Sequence, residues 1–302
     1  MANGHIIFDR ELLQKRRARA AAAVTEHDFL LQRVAEDFVW RLSLVNRAFP
    51  VVVNLGAHHG LVSRETRKLP GVEIVIDADP SPAMLDKAQG PRVLADEEIL
   101  PFKPRSLDLV VSGLSLQHVN DLPGTLVQIE RTLKPDGLFM AAMLGGETLK
   151  ELRQSFVLAE TEILGGASPR VAPFADVRDL GSLLQRAGFS LPVTDSDLVE
   201  TGYANALELM RDLRAMGASN VVLERSRTPL SRRVLVRAAE IYAEQFSRPD
   251  GRIKATFEIL TMTGWSPHAS QQKPLRPGSA KARLADALNV PEVPGGDKPS
   301  GR

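Results

Sequence analysis

From Phe49 onward, short apolar runs alternate with polar stretches of helical spacing, and this alternation restricts the fold more than any other feature of the chain. It predicts strands at 50–55, 72–76, 92–95, 107–114 and 138–143, with helices at 61–69, 81–89, 122–133 and 147–164. The runs are continuous in Val, Leu and Ile, as in strands that crossover helices cover on both faces. The expected class is α/β, a doubly wound, Rossmann-like parallel sheet.

Two helices, at 9–24 and 29–46, are predicted ahead of the first strand. The earlier one carries Lys15, Arg16, Arg17 and Arg19, read as a solvated face, with contact to an anionic partner as the alternative. After Gly165 the pattern turns mainly helical, at 176–187, 204–216 and 231–246. Two β candidates flank that region, 189–199 and 255–264, and their pairing would close the sheet on an antiparallel edge. The expected organisation is N-terminal helices at 1–48, a core at 49–200, a helical insertion at 201–254, a closing strand and cap at 255–275, and an extended or disordered tail at 276–302.

Composition narrows the chemistry. Thirty-eight Lys+Arg against 37 Asp+Glu leave a net charge of +1, which argues against nucleic-acid binding by bulk charge. The absence of cysteine excludes disulfides, thiolate metal sites and a cysteine nucleophile. No apolar stretch approaches the roughly 20 residues of a membrane-spanning helix, and the N-terminus does not read as a secretory signal. A cytoplasmic location is the default expectation.

The first strand ends in Val51-Val-Val-Asn-Leu-Gly-Ala-His-His-Gly60. A strand running into a glycine turn and then a helix lets a ligand approach the backbone. The spacing from Gly56 to Gly60 is not the G-x-G-x-x-G of dinucleotide binding, so NAD and FAD are not supported. The second strand ends in Val75-Ile-Asp-Ala-Asp-Pro-Ser-Pro-Ala-Met-Leu85, where an acidic tip can bond both ribose hydroxyls of an adenosine. The next blocks are Val93-Leu-Ala-Asp-Glu-Glu-Ile-Leu-Pro-Phe102, Ser106-Leu-Asp-Leu-Val-Val-Ser112 and Leu133-Lys-Pro-Asp-Gly-Leu138. Singly, each has a plain structural reading: turn glycines at Gly56 and Gly60, helix N-caps at Asp79 and Asp96, a bare turn at Asp136-Gly137. Together and in this order they resemble the class I S-adenosylmethionine-dependent methyltransferases.

That resemblance implies a cofactor, S-adenosylmethionine, and residues to hold it. Asp79 would be the ribose ligand, Met84 would pack on the adenine, and Asp96, with Glu97 beside it, would receive the adenine amino group. Asn54, Gly56, Ala57, His58, Gly60 and Ser112 complete the implied binding set. Two departures from the family pattern stand out: Asn54 replaces the acidic residue of the first strand, and His58 replaces the middle glycine. A neutral contact to the cofactor's amino group contributes about 1 kcal/mol against roughly 1.5–3 for a charged one.

Further blocks resemble the methyltransferase-like assembly factors of respiratory complex I. They include Ile7-Phe-Asp-Arg10, Gly145-Gly-Glu-Thr-Leu149, Ala159-Glu-Thr-Glu162 and Gly264-Trp265 with His268-Ala-Ser-Gln271. The malonyl-carrier-protein methyltransferases of biotin synthesis are similar at a greater distance. The first likeness implies a complex I subunit as protein substrate, and the second a small-molecule or carrier-protein acceptor. The mitochondrial members of the first group are implicated in hydroxylating an arginine, so arginine hydroxylation and a non-catalytic escort role stand as alternatives to methyl transfer. Gln117 occupies the position where the assembly-factor pattern has histidine, which displaces His118 by one residue. His118, after the fourth strand, is the candidate base for an acceptor that must lose a proton. The neighbouring His58-His59 pair makes a poor metal site, because consecutive residues seldom converge. Tyr203, Trp265, His268 and Arg276 are candidates for closing the substrate side.

Overall fold

The computed structural model describes residues 6–272 together with positions 279, 283, 286 and 289–291. Arg276 and most of the predicted tail therefore lie outside the described residues. Two units divide the chain, one at Met1–Pro267 and one beginning at His268. In the second unit, His268 Nδ1 lies 2.6 Å from Ser270 Oγ and its carbonyl accepts from the Gln271 N–H.

The first unit contains a seven-stranded sheet. Its parallel part is built from β1 (Val51–Leu55), β2 (Ile74–Asp79), β3 (Arg92–Leu94), β4 (Leu107–Gly113) and β5 (Leu133–Leu144). Two antiparallel strands, β6 (Ser190–Tyr203) and β7 (Ile253–Trp265), complete the order β3-β2-β1-β4-β5-β7-β6. The expected pairing of the late β candidates is present, with β7 inserted between β5 and β6. Chain order reverses between β1 and β4, and this switch point opens the crevice where ligands of such sheets bind.

Alternate residues of each central strand serve opposite faces. Val52, Leu109, Val111 and Met140 enter one core cluster, whereas Val53, Val110, Phe139 and Ala141 enter the other. Burial of each such side chain contributes about 1.5–3 kcal/mol, and burial on both faces explains the unbroken apolar runs. The flanking helices are α1 (Arg10–Ala20), α2 (Phe29–Ser43), α3 (Leu61–Thr66), α4 (Pro82–Leu85), α5 (Leu122–Thr132), α6 (Lys150–Leu164), α7 (Val177–Arg186), α8 (Ala206–Ala215) and α9 (Arg232–Phe246). Asp9 caps α1 by accepting from the Leu12 N–H, and Asn205 caps α8 through the Leu207 and Glu208 N–H groups. Among the described residues no helix is long and apolar enough to cross a membrane.

Helix α1 is held over the carboxyl ends of the strands. Asn120, after β4, accepts from the Ile7 and Phe8 N–H groups, and Asp9 donates its N–H to the Val221 carbonyl. Ala20, Ala21 and Val24 pack on Met84 of α4. The expected solvated face holds for Lys15 and Arg19, which are exposed, and is corrected for Arg17. Leu13, Arg17 and Ala20 share the buried face of α1, and Arg17 is only 2% exposed.

Candidate functional site

The glycine turn after β1 is built as its sequence demands. Gly56 and Gly60 have φ of 66° and 80°, the left-handed region that costs a side chain energy. A Cβ at Gly56 would collide with Ser115 Oγ, and one at Gly60 would press on Ala88. Three residues that are not glycine share this conformation around the crevice: His58 (φ 51°), Leu114 (53°) and Leu149 (53°). All three line a single cavity of about 1150 Å³. Arg105, Asp136 and Leu191 adopt the same conformation away from this cavity.

Beside the cavity lies a buried charge network. Asp79 is fully buried; one oxygen accepts from the Ser81 N–H at 2.8 Å and the other from the His58 N–H at 2.9 Å. Burial pushes its carboxyl up to about 6, with Arg17 opposing the rise and Glu97 adding to it. Glu97 is also fully buried, and accepts from Arg10, from the Ser115 hydroxyl and from Arg17 Nη1 at 3.3 Å. Burial alone would raise its carboxyl, but Arg17 and then Arg10 outweigh it and hold the group at about 2. Arg17 completes the network, with Nη2 donating to Ser115 Oγ at 3.0 Å and Nη1 3.6 Å from Asp79.

The expected binding residues sort into three groups. Asp79 and Glu97 are the central carboxylates; Asp96, beside them, is more exposed and bonds Arg10 at 2.6 Å. Asn54 is buried at the tip of β1, donating to Ser63 at 2.9 Å and Asp77 at 3.3 Å, while its Oδ1 has no partner. Ala57, Met84 and Ser112 are buried support: the Ala57 N–H donates to Ala78, Met84 packs under α1, and Ser112 Oγ donates to the Leu55 carbonyl at 2.7 Å. Met84 does not line the cavity, and neither do Asp79, Asn54 or Glu97. Of the residues expected to close the substrate side, Tyr203 bonds Asp212 at 2.5 Å and Trp265 packs on Phe49, and neither lines the cavity.

The adjacent histidines take separate partners, His58 Nε2 the Gly113 carbonyl and His59 Nε2 the Asp28 carboxylate. His118 lines the cavity with its ring against the edge of Phe8 and with Nδ1 unpartnered. Burial, reinforced by Arg17, pulls the His118 imidazole down to about 3. The ring is therefore neutral near pH 7.

Comparisons with known proteins agree with this architecture. A family model described as a methyltransferase domain matches residues 53–141. The YcgJ protein of Bacillus subtilis superposes with a TM-score of 0.54 at 13% identity, over 78% of this chain and 99% of that one. The mitochondrial arginine-hydroxylase NDUFAF5 of Danio rerio is 41% identical over 95% of this chain and 91% of its own length. A malonyl-[acyl-carrier protein] O-methyltransferase of a Methylovorus strain is 36% identical over 86% of this chain and 92% of its own length.

The chain belongs to the class I methyltransferase family.

The cofactor of this family is S-adenosylmethionine, and the site of this methyltransferase-family protein suits it. Each Asp79 oxygen has accepted one backbone bond and keeps capacity for another, as a vicinal diol requires. The unpartnered Asn54 Oδ1 and Gln117 Oε1 are acceptors suited to an ammonium group. One expectation from sequence is overturned: the NDUFAF5 relatives are mitochondrial proteins by name, so the cytoplasmic default does not stand.

Proposed function

We propose that the protein uses S-adenosylmethionine, held at the carboxyl ends of β1, β2 and β4, to modify a protein partner during assembly of respiratory complex I, with methyl transfer as the reaction. The observation that carries this reading is the contact between donor cradle and cavity. His58 donates its N–H to Asp79, and its side chain lines the roughly 1150 Å³ space beyond. When bound, S-adenosylmethionine supplies a methyl group already activated on a sulfonium, so the protein's contribution is alignment and exclusion of water. Asp79 would hold the ribose, with Glu97 kept ionised behind it by Arg10 and Arg17. Asn54 and Gln117 would accept from the amino group. His118, neutral and unpartnered at Nδ1, would hydrogen-bond the acceptor without taking its proton.

Arginine hydroxylation is the second reading, favoured by relatives of that name at 41–43% identity over 93–95% of the chain. It requires an oxidant from outside the chain. Purified complex I subunits incubated with the protein and methyl-labelled S-adenosylmethionine separate the two. Label in one subunit supports methyl transfer; an oxygen gained on an arginine, without label, supports hydroxylation. Neither change, with cofactor binding intact, leaves the role of an escort.

A further inference from the structure

The mouth of the cavity carries more positive charge than the fold uses. Arg19 of α1, Arg211 and Arg214 of α8, and Arg227 of the following loop line it, are exposed, and make no ion pair among the described residues. Arg16 and Arg225 stand with them. Arg16 bonds the Asn220 carbonyl, and burial together with Arg225, Arg19 and Arg214 lowers its affinity for a proton. Asp9 and Asp28 are the acidic residues of the lining, and both are engaged, by Arg225 and His59 respectively. A protein of net charge +1 has therefore gathered like charges around one opening.

Helix termini do not account for this. Arg19 and Arg214 lie in the last turns of their helices, where a cation complements the dipole, but Arg211 lies before the last turn and Arg227 lies outside any helix. The opening is recessed, which suits neither a flat bilayer nor a duplex, and its floor is apolar, with Leu30, Phe156, Met210 and Phe257 among the lining residues. An occupant complementary to this lining presents negative charge to the exposed arginines and buries apolar side chains against the residues below.

We propose that the arginine rim docks an acidic, apolar-bearing polypeptide segment, the route by which a partner protein presents its acceptor residue. The proposal rests on the protein-acceptor reading above.

The test uses the full chain and a fluorescein-labelled peptide of alternating Glu and Leu, followed by anisotropy, with a Gln-Leu peptide as control. Cofactor binding is measured separately by calorimetry. The Glu-Leu peptide should bind, more tightly at low salt, and the double variant Arg211→Glu/Arg214→Glu should weaken it by about tenfold or more. Calorimetric cofactor binding should be unchanged in that variant. Equal binding of the Gln-Leu peptide, no effect of the double variant, full displacement by succinate, or retention on phosphatidylserine vesicles in place of the peptide would each overturn the proposal. Peptide binding without cofactor binding removes the enzymatic reading and leaves the docking surface standing; cofactor binding without peptide binding does the reverse.

Discussion

Replacing Arg17 with Met keeps most of the side chain's length and removes its charge from between two fully buried carboxylates. Breaking a buried ion pair by removing one partner costs about 3–5 kcal/mol. Arg10 still reaches Glu97 in the variant, so the lower end applies, about 3 kcal/mol. In a unit of this size that corresponds to a fall of roughly 6–12 °C in Tm. The loss should also depend on pH. Arg17 now opposes the rise of the Asp79 carboxyl, so its removal lifts that group above its present value of about 6. A carboxyl raised in the folded state retains a proton that the unfolded chain releases, so its contribution to stability declines as pH rises. Arg17→Met should therefore be more destabilising at pH 8 than at pH 5. In urea unfolding followed by circular dichroism, Arg17→Met/Asp79→Asn should recover part of the loss, because Asp79, whose ion pair is with Arg17, is the carboxylate left stranded. A single variant within 0.5 kcal/mol of the parent, or a penalty equal at both pH values, would refute the reasoning.

Asp79→Ala removes a charged acceptor from the ribose position and should weaken S-adenosylmethionine binding by about tenfold or more in calorimetry; unchanged affinity would place the cofactor elsewhere. Gly56→Ala combines a left-handed φ with a collision against Ser115, and should cost about 2 kcal/mol or more in the same urea assay. Burial pulls both His58 and His118 down to about 3 from an ordinary value near 6.5. Their contribution to stability is thus complete above pH 6.5 and is lost as pH falls toward 3, so the urea midpoint should drop over that window. His118→Gln should make the drop shallower, and an unaltered slope would contradict burial of the neutral ring.

Much of the fold was legible because the core strands are buried on both faces, which writes them as apolar runs and leaves the glycine turn after β1 conspicuous. The tip of β2 was equally readable, since an acidic residue there follows from strand register. Arg17 was misread because residue type outweighed position: it falls four residues after Leu13 and three before Ala20, on the buried stripe, but arginine is usually solvent-facing. The burial of Glu97 beside a more exposed Asp96 could not be read from either residue, because it depends on Arg10 and Arg17 reaching across from a helix some 80 residues away in sequence. The packing of Met84 on the alanines of α1 and the segment after it is a tertiary contact that sequence spacing does not encode.

On the proposed function, a complex I subunit is methylated in the cavity beside Asp79. Mass spectrometry of complex I subunits, isolated from cells with and without this protein, tests it most directly. One subunit should carry a methyl group in the presence of the protein and lack it in its absence. An arginine lacking one oxygen with every methyl group intact, or subunits of unchanged mass, would contradict it.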